Sequence, residues 1–371
     1  MMPPAPVLPD YGGGCISSLA PALLGPSGTK SLPGWMPAPA RDAAQIVLLV
    51  LDGLGWEQLQ NNVALCPTLH RMTGAAITTV VPSTTATALS SITTGLAPGE
   101  HGVVGYRMEV QGEILNVLRW GTSEGDARKR IRPTFVQPVP AFLGASVPAV
   151  TKADFVGSGF TAAHLGGVRH HGWRMPSTLL AQVASVVDAG ETFVYAYYDG
   201  VDKVAHEFGF GPAYAAELVA ADRLVADLLK LLPPTACLLV TADHGQVIVG
   251  TNTVALGPDV QRLVRIQSGE GRFRWLHARP GGAAELLAVA KREHGHHAWV
   301  HSVQEVIDAG WFGPQVTLNA RSRLGDVALV PFIDISFDDP ADSGPFPLVS
   351  RHGSLTAEEM LVPLMAARGE R

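Results

Sequence analysis

The chain has 371 residues, 47% of them hydrophobic and 16% charged, which excludes an intrinsically disordered protein and suffices for one large domain or two smaller ones. Its formal charge of −6 argues against binding to polymeric nucleic acid, because proteins that hold a phosphate backbone are usually basic. A small anionic substrate remains compatible with this charge, since a bound metal ion can supply positive charge locally.

Residues 1–43 are rich in Pro and Gly, and we expect them to form an irregular segment over the domain. The chain shows no basic stretch followed by an apolar one at its start, and no apolar run long enough to cross a bilayer. We therefore expect a cytoplasmic protein that has no membrane partner. The widely spaced Cys15, Cys66 and Cys237 predict neither a disulfide framework nor a thiolate metal site.

From residue 44 onward, short apolar strands alternate with helices. Gln45-Ile-Val-Leu-Leu-Val-Leu51 is a continuous apolar run that ends in the turn Asp52-Gly53, as expected for a strand buried on both faces of a parallel sheet. Further strands are predicted at 75–81, 146–150, 192–198 and 236–241, and helices at 83–94 and 213–232. This alternation predicts an α/β fold with a mainly parallel central sheet flanked by helices on both faces.

The segment 255–345 departs from this alternation. It contains Arg272-Phe-Arg-Trp-Leu276, a helix near 282–294, an apolar stretch at 298–303 and a second short helix. We therefore expect a small αβ cap at 255–345, inserted into a catalytic core made of residues 44–254 and 346–371.

Aspartates and histidines follow the predicted strands, and another histidine lies near the C-terminus. They are Asp52, Asp202, His206, Asp243, His244 and His352. The i, i+4 spacing of Asp202 and His206 puts both side chains on one face of a helical turn. Because open α/β sheets bind ligands at the carboxyl ends of their strands, this pattern predicts a shared site there.

Three aspartates and three histidines suit Zn²⁺ or Mn²⁺ better than Ca²⁺ or Mg²⁺. Six ligands are too many for one catalytic zinc ion and about right for two ions with three ligands each. Two ions about 3.5–4 Å apart form the clamp used for in-line phosphoryl displacement. Each segment alone is a weak signal, because Asp after a strand commonly fills a turn, so the prediction depends on their combination.

With these segments the chain resembles the type I phosphodiesterase/nucleotide pyrophosphatase family of the alkaline phosphatase superfamily. The matching segments are Asp52-Gly53, Pro82-Ser-Thr-Thr85 running to Thr94-Gly95-Leu96, His101-Gly102, Asp202 to Gly209, Asp243-His244-Gly245 and His352-Gly353. The resemblance implies an alkaline phosphatase-like fold with two zinc-type sites. One site would use Asp202, His206 and His352, and the other Asp52, Asp243 and His244.

The resemblance also implies that Thr85 is the nucleophile and contributes to the second metal site. A threonine hydroxyl is a poor nucleophile at neutral pH and needs activation, here by a metal ion. Thr85 lies where a helix is predicted to begin, so backbone N–H groups could face a phosphate. Thr84 is the alternative, because hydroxyl residues at helix starts are commonly caps.

One position departs from the family pattern. Nucleotide pyrophosphatases carry an Asn three residues after the nucleophile, where this chain has Ala88, so other groups must hold the phosphate. This indicates a divergent subgroup. The chain resembles, in length and Ala-rich composition, a branch that hydrolyses cyclic di-AMP to AMP through the linear dinucleotide.

The implied partner is thus a small nucleotide or dinucleotide, and the oligomeric state is not predicted. Tyr106, Phe155 and Trp173 are candidates for stacking on a base, although each also fits as a packing residue. The remaining histidines, at 170, 171, 294, 296 and 297, have polar flanks and are expected at the surface.

Three other functions fit parts of the sequence. Gly157-Ser-Gly-Phe-Thr-Ala162 matches a dinucleotide-binding turn, but the acidic residue expected about 20 residues later is missing, which favours a Gly-rich loop near the active site. A phosphonate hydrolase or phosphomonoesterase on the same scaffold remains open, because phosphonate hydrolysis also uses Thr and two zinc ions. A non-catalytic nucleotide sensor would not need an activated hydroxyl, so the retained Thr85 favours an enzyme.

Overall fold

The computed structural model describes residues 4–26, 28–342 and 347–371. Its strands are, in chain order, β1 (Gln45–Leu51), β2 (Thr73–Thr78), β3 (Arg107–Val110), β4 (Glu113–Asn116), β5 (Gly121–Thr122), β6 (Gly125–Asp126), β7 (Pro148–Lys152), β8 (Arg169–Trp173), β9 (Phe193–Tyr198), β10 (Ala236–Thr241), β11 (Val247–Ile248), β12 (Thr253–Val254), β13 (Val264–Glu270), β14 (Phe273–Ala278), β15 (Ala298–Ser302), β16 (Val327–Pro331), β17 (Ser336–Phe337), β18 (Ser350–Arg351) and β19 (Leu361–Arg368).

The α-helices are α1 (Leu19–Leu24), α2 (Trp56–Gln60), α3 (Pro67–Arg71), α4 (Thr85–Thr94), α5 (Pro98–His101), α6 (Pro133–Val136), α7 (Gly159–His164), α8 (Pro176–Asp188), α9 (Gly200–Phe208), α10 (Pro212–Leu231), α11 (Pro258–Leu263), α12 (Ala283–His294), α13 (Val303–Asp308), α14 (Leu318–Arg321) and α15 (Ala357–Met360). Within the described ranges, no helix combines the length and the apolar character needed to cross a bilayer. The expected junction between the cap and the returning core, at residues 345 and 346, lies outside the described residues.

Seven strands form the central sheet, in the order β2-β19-β10-β1-β9-β7-β8. β1 lies in the middle, pairs in parallel with β10 and β9, and is buried along six of its seven residues. A continuous apolar strand is stable there because both of its faces pack on other elements. Helices flank the sheet, with α8 packed on β7, β8 and β9. The predicted α/β architecture with a mainly parallel sheet is confirmed.

Two strands of this sheet were not predicted, and one of them breaks its parallel direction. β19 runs antiparallel to both β10 and β2, and its Pro363 and alanines give it a weak strand signal. β8 is an edge strand whose Arg-His-His-Gly-Trp sequence shows no apolar alternation. The structure also moves the predicted 75–81 strand to Thr73–Thr78 and begins α4 at Thr85 instead of residue 83.

Two four-stranded antiparallel sheets accompany the central one. β3 to β6 form a sheet of short strands that was not predicted, because two to four residues are too few to show a periodicity. A second sheet, in the order β13-β14-β16-β15, has its own apolar cluster with α11 and α12, built around Val260, Leu276, Leu286 and Leu329.

Candidate active site

The carboxyl ends of the three adjacent strands β9, β1 and β10 carry four of the predicted site residues. Asp52 follows β1 directly, Asp243 and His244 follow β10, and Asp202 lies in the first turn of α9, after β9. The connections are hydrogen-bonded to one another, because Asp202 N donates to Asp52 O at 3.1 Å and Gly53 N donates to Asp243 Oδ1 at 3.0 Å. The parallel sheet therefore brings residues 190 positions apart into contact.

His352 reaches the same place through a two-residue ladder. β18, which precedes it, pairs with β11 so that Arg351 faces Val247. On its other side this segment is tied to α9, because Val349 N donates to His206 O at 2.7 Å. A residue near the C-terminus is thus fixed beside residues from the middle of the chain.

All six predicted ligand residues come together. Ligand atoms of Asp52, Asp243 and His244 lie within 4.8 Å of one another, as do those of Asp202, His244 and His352. His206 adjoins the second group, with its Nε2 3.3 Å from Asp202 Oδ1 and its ring centroid 5.2 Å from that of His352. His244 therefore lies between the two groups, where the family pattern assigns it to one of them.

The three histidines share one hydrogen-bonding arrangement. Each Nδ1 lies within hydrogen-bond distance of a backbone carbonyl: Gly245 O for His244, Ser350 O for His206 and Ser83 O for His352, at 3.1, 2.8 and 2.9 Å. A carbonyl can only accept, so Nδ1 carries the proton and Nε2 keeps its lone pair. This arrangement is typical of metal-ligating histidines, whose second nitrogen donates to a carbonyl or carboxylate.

The three aspartates leave buried oxygens unpaired. Asp52 Oδ1, Asp202 Oδ1 and Asp243 Oδ2 accept no hydrogen bond from any described residue. Burial, and for Asp52 also the charges of Asp243 and Asp202, raises the pKa of each carboxyl above its usual range. Unpaired carboxylates buried close together are unfavourable alone and become favourable around cations, so this set of carboxylate and imidazole donors fits divalent metal ions.

Thr85 is the first residue of α4, and its Oγ1 lies 3.1 Å from His244 Nε2. The hydroxyl therefore faces the imidazole that lies between the two ligand groups. Thr84 is the N-cap residue, makes no side-chain capping hydrogen bond and contacts Glu270 instead. Of the two threonines that the sequence left open, Thr85 is the one whose hydroxyl lies against a candidate metal ligand.

Two cavities meet at Thr85. The larger, about 540 Å³, is lined by polar groups that include Arg119, Glu270, Arg351 and the metal-ligand candidates His206 and His352. The smaller, about 280 Å³, is mostly apolar, and its lining includes Phe155, Phe160 and Tyr197. Thr85, Leu118 and Asp202 line both cavities, so a group bound at Thr85 has space on two sides.

Several site residues were missed by sequence reasoning. Tyr197 donates a hydrogen bond to Asp52 Oδ2, and burial raises the pKa of Glu270 to about 8. Gln246 Nε2 donates to Gly53 O at 3.2 Å, and Gln246 Oε1 accepts from Ser350 Oγ at 2.6 Å. Only Gln246 has a sequence signal, since it directly follows the Asp-His-Gly segment.

Other residues named from the sequence lie away from the site. His101 is fully buried and hydrogen-bonded to Ser91 near the end of α4, and Ala88 lines neither cavity. Trp173 is a packing residue whose indole N–H donates to Tyr197 O. The prediction of surface histidines is wrong for His294 and His297, which are buried and pack on Phe337.

The comparisons with known proteins identify the family and agree with the fold. A profile of the type I phosphodiesterase / nucleotide pyrophosphatase family matches residues 46–354. Phosphonoacetate hydrolase from Sinorhizobium meliloti 1021, in complex with phosphonoformate, superimposes with a TM-score of 0.65 at 18% identity, over 89% of this chain and 91% of that one.

Murine ectonucleotide pyrophosphatase / phosphodiesterase 5 has a TM-score of 0.64 at 15% identity, over 88% of both chains. An inactive threonine-to-alanine variant of the same murine protein, in complex with AMP, has a TM-score of 0.63 at 14% identity, over 86% of this chain and 87% of that one. A comparison with curated proteins finds no sequence match. The family profile covers most of the chain, and the protein belongs to the type I phosphodiesterase / nucleotide pyrophosphatase family.

Proposed function

We propose that the protein is a two-metal phosphodiesterase that cleaves nucleotide phosphodiester bonds through a covalent phospho-threonine at Thr85. The observation that carries this proposal is the position of the Thr85 hydroxyl against His244, which lies between the two ligand groups. An inactive threonine-to-alanine variant of a protein with the same fold supports the role of a threonine.

The six ligand candidates would hold two divalent ions, Zn²⁺ or Mn²⁺. Asp52, Asp243 and His244 form one set, and Asp202, His206 and His352 form the other, with His244 at their border. Bound there, such ions lower the pKa of a coordinated hydroxyl and neutralise charge on a phosphate.

In the first step, Thr85 Oγ gives up its proton to solvent and attacks phosphorus as the bond to the leaving alkoxide breaks. The alkoxide takes up a proton from solvent, and the substrate's other nucleoside stays on the phosphoryl group. In the second, water attacks the phospho-threonine, releases the nucleotide and restores the hydroxyl. Because Thr85 is the first residue of α4, the free N–H groups of that turn offer donors to the phosphate that the missing Asn at position 88 would otherwise supply.

The two cavities favour a diester over a monoester. A phosphodiester carries a group on each side of phosphorus, and both sides of Thr85 have space for one. A dinucleotide fits this shape, and cyclic di-AMP, cleaved to AMP through the linear dinucleotide, is the substrate we propose to test first.

The nucleophile is tested with a matched series in one helix. Thr85→Ala is expected to abolish turnover by metal-loaded protein, whereas Thr87→Ala, at a buried position that lines neither cavity, should retain it. Acid quenching with a phosphorus-labelled diester should trap label on wild-type protein and none on Thr85→Ala. Label that persisted in Thr85→Ala and vanished in Thr84→Ala would move the nucleophile to Thr84.

The substrate class is tested by product identity. Wild-type protein is incubated with cyclic and linear dinucleotides, phosphomonoesters and phosphonoacetate, with and without chelator. We expect AMP from the dinucleotides and loss of activity with chelator. Turnover of phosphonoacetate alone would identify a phosphonate hydrolase instead.

A further inference from the structure

The smaller cavity has apolar walls that suit a flat aromatic ring. Its lining includes Leu89, Leu118, Phe155, Phe160 and Leu165. Two of the other lining residues, His164 and Thr151, bring polar groups into these walls at some distance along the chain from any proposed metal ligand. Polar groups placed in an apolar pocket usually set the orientation and identity of the ligand.

His164 offers an acceptor to this cavity. Its Nδ1 donates to Phe160 O at 2.7 Å, and its ring stacks on Phe160 with centroids 4.0 Å apart. Burial lowers the pKa of His164 to about 4, so the ring is neutral near pH 7 and Nε2 carries a lone pair. Among the residues that the structure describes, nothing is hydrogen-bonded to this Nε2.

Thr151 offers a second unused group. It is the penultimate residue of β7, its side chain is 3% exposed, and its Oγ1 has no hydrogen-bond partner among the described residues. A buried hydroxyl without a partner costs about 1–3 kcal/mol. Rotation of the Thr151 side chain about χ1 would turn this hydroxyl toward a ligand in the cavity that the residue lines, and a ligand polar atom would then remove that cost. A threonine hydroxyl both donates and accepts, so it complements a ring nitrogen as well as an amine.

We infer that His164 selects, and Thr151 helps to hold, a nucleobase with an exocyclic amine, of the 6-aminopurine type, in the smaller cavity. The amine would donate to His164 Nε2, and Thr151 would bond a polar atom on the same ring. A 6-oxopurine would place a carbonyl against the Nε2 lone pair and leave both without a donor. This inference rests on the proposed function, because the cavity shares Thr85 and Asp202 with the candidate metal sites.

The test compares linear dinucleotides of adenosine, of inosine and of purine riboside, which has hydrogen at the 6-position. Wild-type protein should favour adenosine over inosine by about 10-fold or more in kcat/KM, with purine riboside between them. His164→Phe keeps the stacking on Phe160 and removes the acceptor, so the adenosine-to-inosine ratio should fall to near one. Thr151→Val, of similar shape, should lower kcat/KM for all three bases.

His301→Phe is the matched control. His301 lines neither cavity and meets Trp311 edge-on at 5.5 Å, a contact that phenylalanine can retain. Its adenosine-to-inosine ratio should equal that of wild type. Because the readout for His164→Phe is a ratio, a general loss of stability or activity cancels from it.

Calorimetric measurement of AMP and IMP binding tests the same base preference without turnover. A wild-type preference that persists in His164→Phe, or the lack of any preference in wild type, would overturn this inference. If bis(p-nitrophenyl) phosphate, a diester without a base, is still hydrolysed in that case, the proposed function stands. If metal-loaded wild-type protein hydrolyses no diester, the proposed function fails, and the AMP and IMP affinities still decide the base preference.

Discussion

At the scale of single residues, the aspartates that would bind metal ions at the candidate site destabilise the metal-free folded protein. Asp52, Asp202 and Asp243 are held close together in the interior with unpaired oxygens. Without cations, each carboxylate raises the free energy of the folded state through lost hydration and mutual repulsion. Binding of cations to the folded state alone then adds stability.

We therefore expect Asp52→Asn to raise the stability of the metal-free protein and to weaken its metal binding. In chelator at pH 7.5, the variant should be more stable than wild type by about 1–3 kcal/mol, because one charge is gone and the new amide can donate to Asp243. Metal content after dialysis should fall. Denaturant unfolding and elemental analysis measure the two effects.

Asp154→Asn is the control for that change, because Asp154 is exposed and paired only with the exposed Arg174. It should alter neither property. A metal-free Asp52→Asn less stable than metal-free wild type would contradict this reading of the aspartate cluster.

A second residue-scale prediction concerns acid. Burial, together with the Arg323 guanidinium, lowers the pKa of His101 to about 3, whereas an unfolded histidine titrates near 6.5. Below about pH 6.5 the unfolded chain therefore takes up a proton that the folded protein refuses, so stability falls by about 1.4 kcal/mol per pH unit for this group. Above that range the group contributes no pH dependence.

His101→Gln isolates this effect, because glutamine can still donate to Ser91 Oγ. The stability advantage of wild type over the variant should be constant above pH 7 and should shrink by about 2 kcal/mol at pH 5. Denaturant unfolding of both proteins in chelator measures it. A constant difference from pH 8 to pH 5 would show that His101 does not titrate in this way.

The residues of this site differ in whether the sequence alone could identify them. Five of the metal-ligand candidates could be singled out because each follows a predicted buried strand or lies four residues from one that does, whereas His352 depended on the resemblance to the family. Tyr197 and Glu270 were not, since a tyrosine in an apolar strand and a glutamate before a hairpin turn are ordinary. Their proximity to the site arises from tertiary packing, which no local pattern encodes.

At the scale of elements, short ladders and glycines hold the strand-end connections together. The Asp-His-Gly segment needs its glycine because a Cβ at Gly245 would overlap Glu358 O and lie 2.9 Å from Gly55 Cα. Gln246 then links the β1 connection to β18 through its bonds to Gly53 and Ser350. These contacts position Asp52 and His352 without contacting a metal ion.

Gln246→Leu should therefore weaken metal binding although no ligand is removed. Loss of both hydrogen bonds leaves Gly53 O and Ser350 Oγ unpaired in the interior, and such supporting changes typically lower metal affinity about 10–100-fold. Titration of the metal-free protein with Zn²⁺ measures the affinity. Gln261→Leu, which removes one hydrogen bond to Leu256 O in the segment 255–345, is the control and should leave the affinity unchanged. Equal affinities for Gln246→Leu and wild type would exclude this positioning role.

The buried strands were easier to predict from the sequence than the edge strand and the short strands. β1, β9 and β10 are buried along nearly their whole length and appear in the sequence as apolar runs. The edge strand β8 and the short strands β3 to β6 depend on neighbours for their structure, so their sequences show neither alternation nor length.

At the scale of the whole molecule, we propose that residues 255–345 form an insertion into the catalytic core. Its separate apolar cluster supports this division. Part of the connection to the core is apolar, because Phe273, Trp275 and Val330 belong to the main apolar cluster. Another part is polar and buried: Arg272, in the turn between β13 and β14, forms a two-pronged ion pair with Glu359 of α15, at 2.9 and 2.6 Å. Neither side chain is exposed.

The ion pair lies next to the segment that carries His352. Glu359 also accepts from Ser354 N at 3.0 Å and from Thr356 Oγ1 at 2.8 Å, and both residues follow His352 within four positions. Arg272 donates further to Ile333 O and Ile335 O. This buried charge pair is one of the contacts that join the second sheet to the segment of His352, together with the hydrogen bond that Ser354 Oγ donates to Pro331 O at 2.5 Å.

Arg272→Met should destabilise the protein by about 3–5 kcal/mol, because it leaves the Glu359 carboxylate buried without its partner. The double variant Arg272→Met, Glu359→Gln should recover a large part of that loss, since a neutral amide needs no counter-charge and can still accept from Ser354 N. Urea unfolding of the two single variants, the double variant and wild type, all in chelator, completes a double-mutant cycle and measures the coupling between the two side chains.

Strictly additive losses would mean that the two side chains are independent, and the second sheet would then have to be held to the core by its apolar contacts. A coupling of several kcal/mol, together with weaker Zn²⁺ binding in Arg272→Met than in the double variant, would instead show that contacts from the insertion help to position His352.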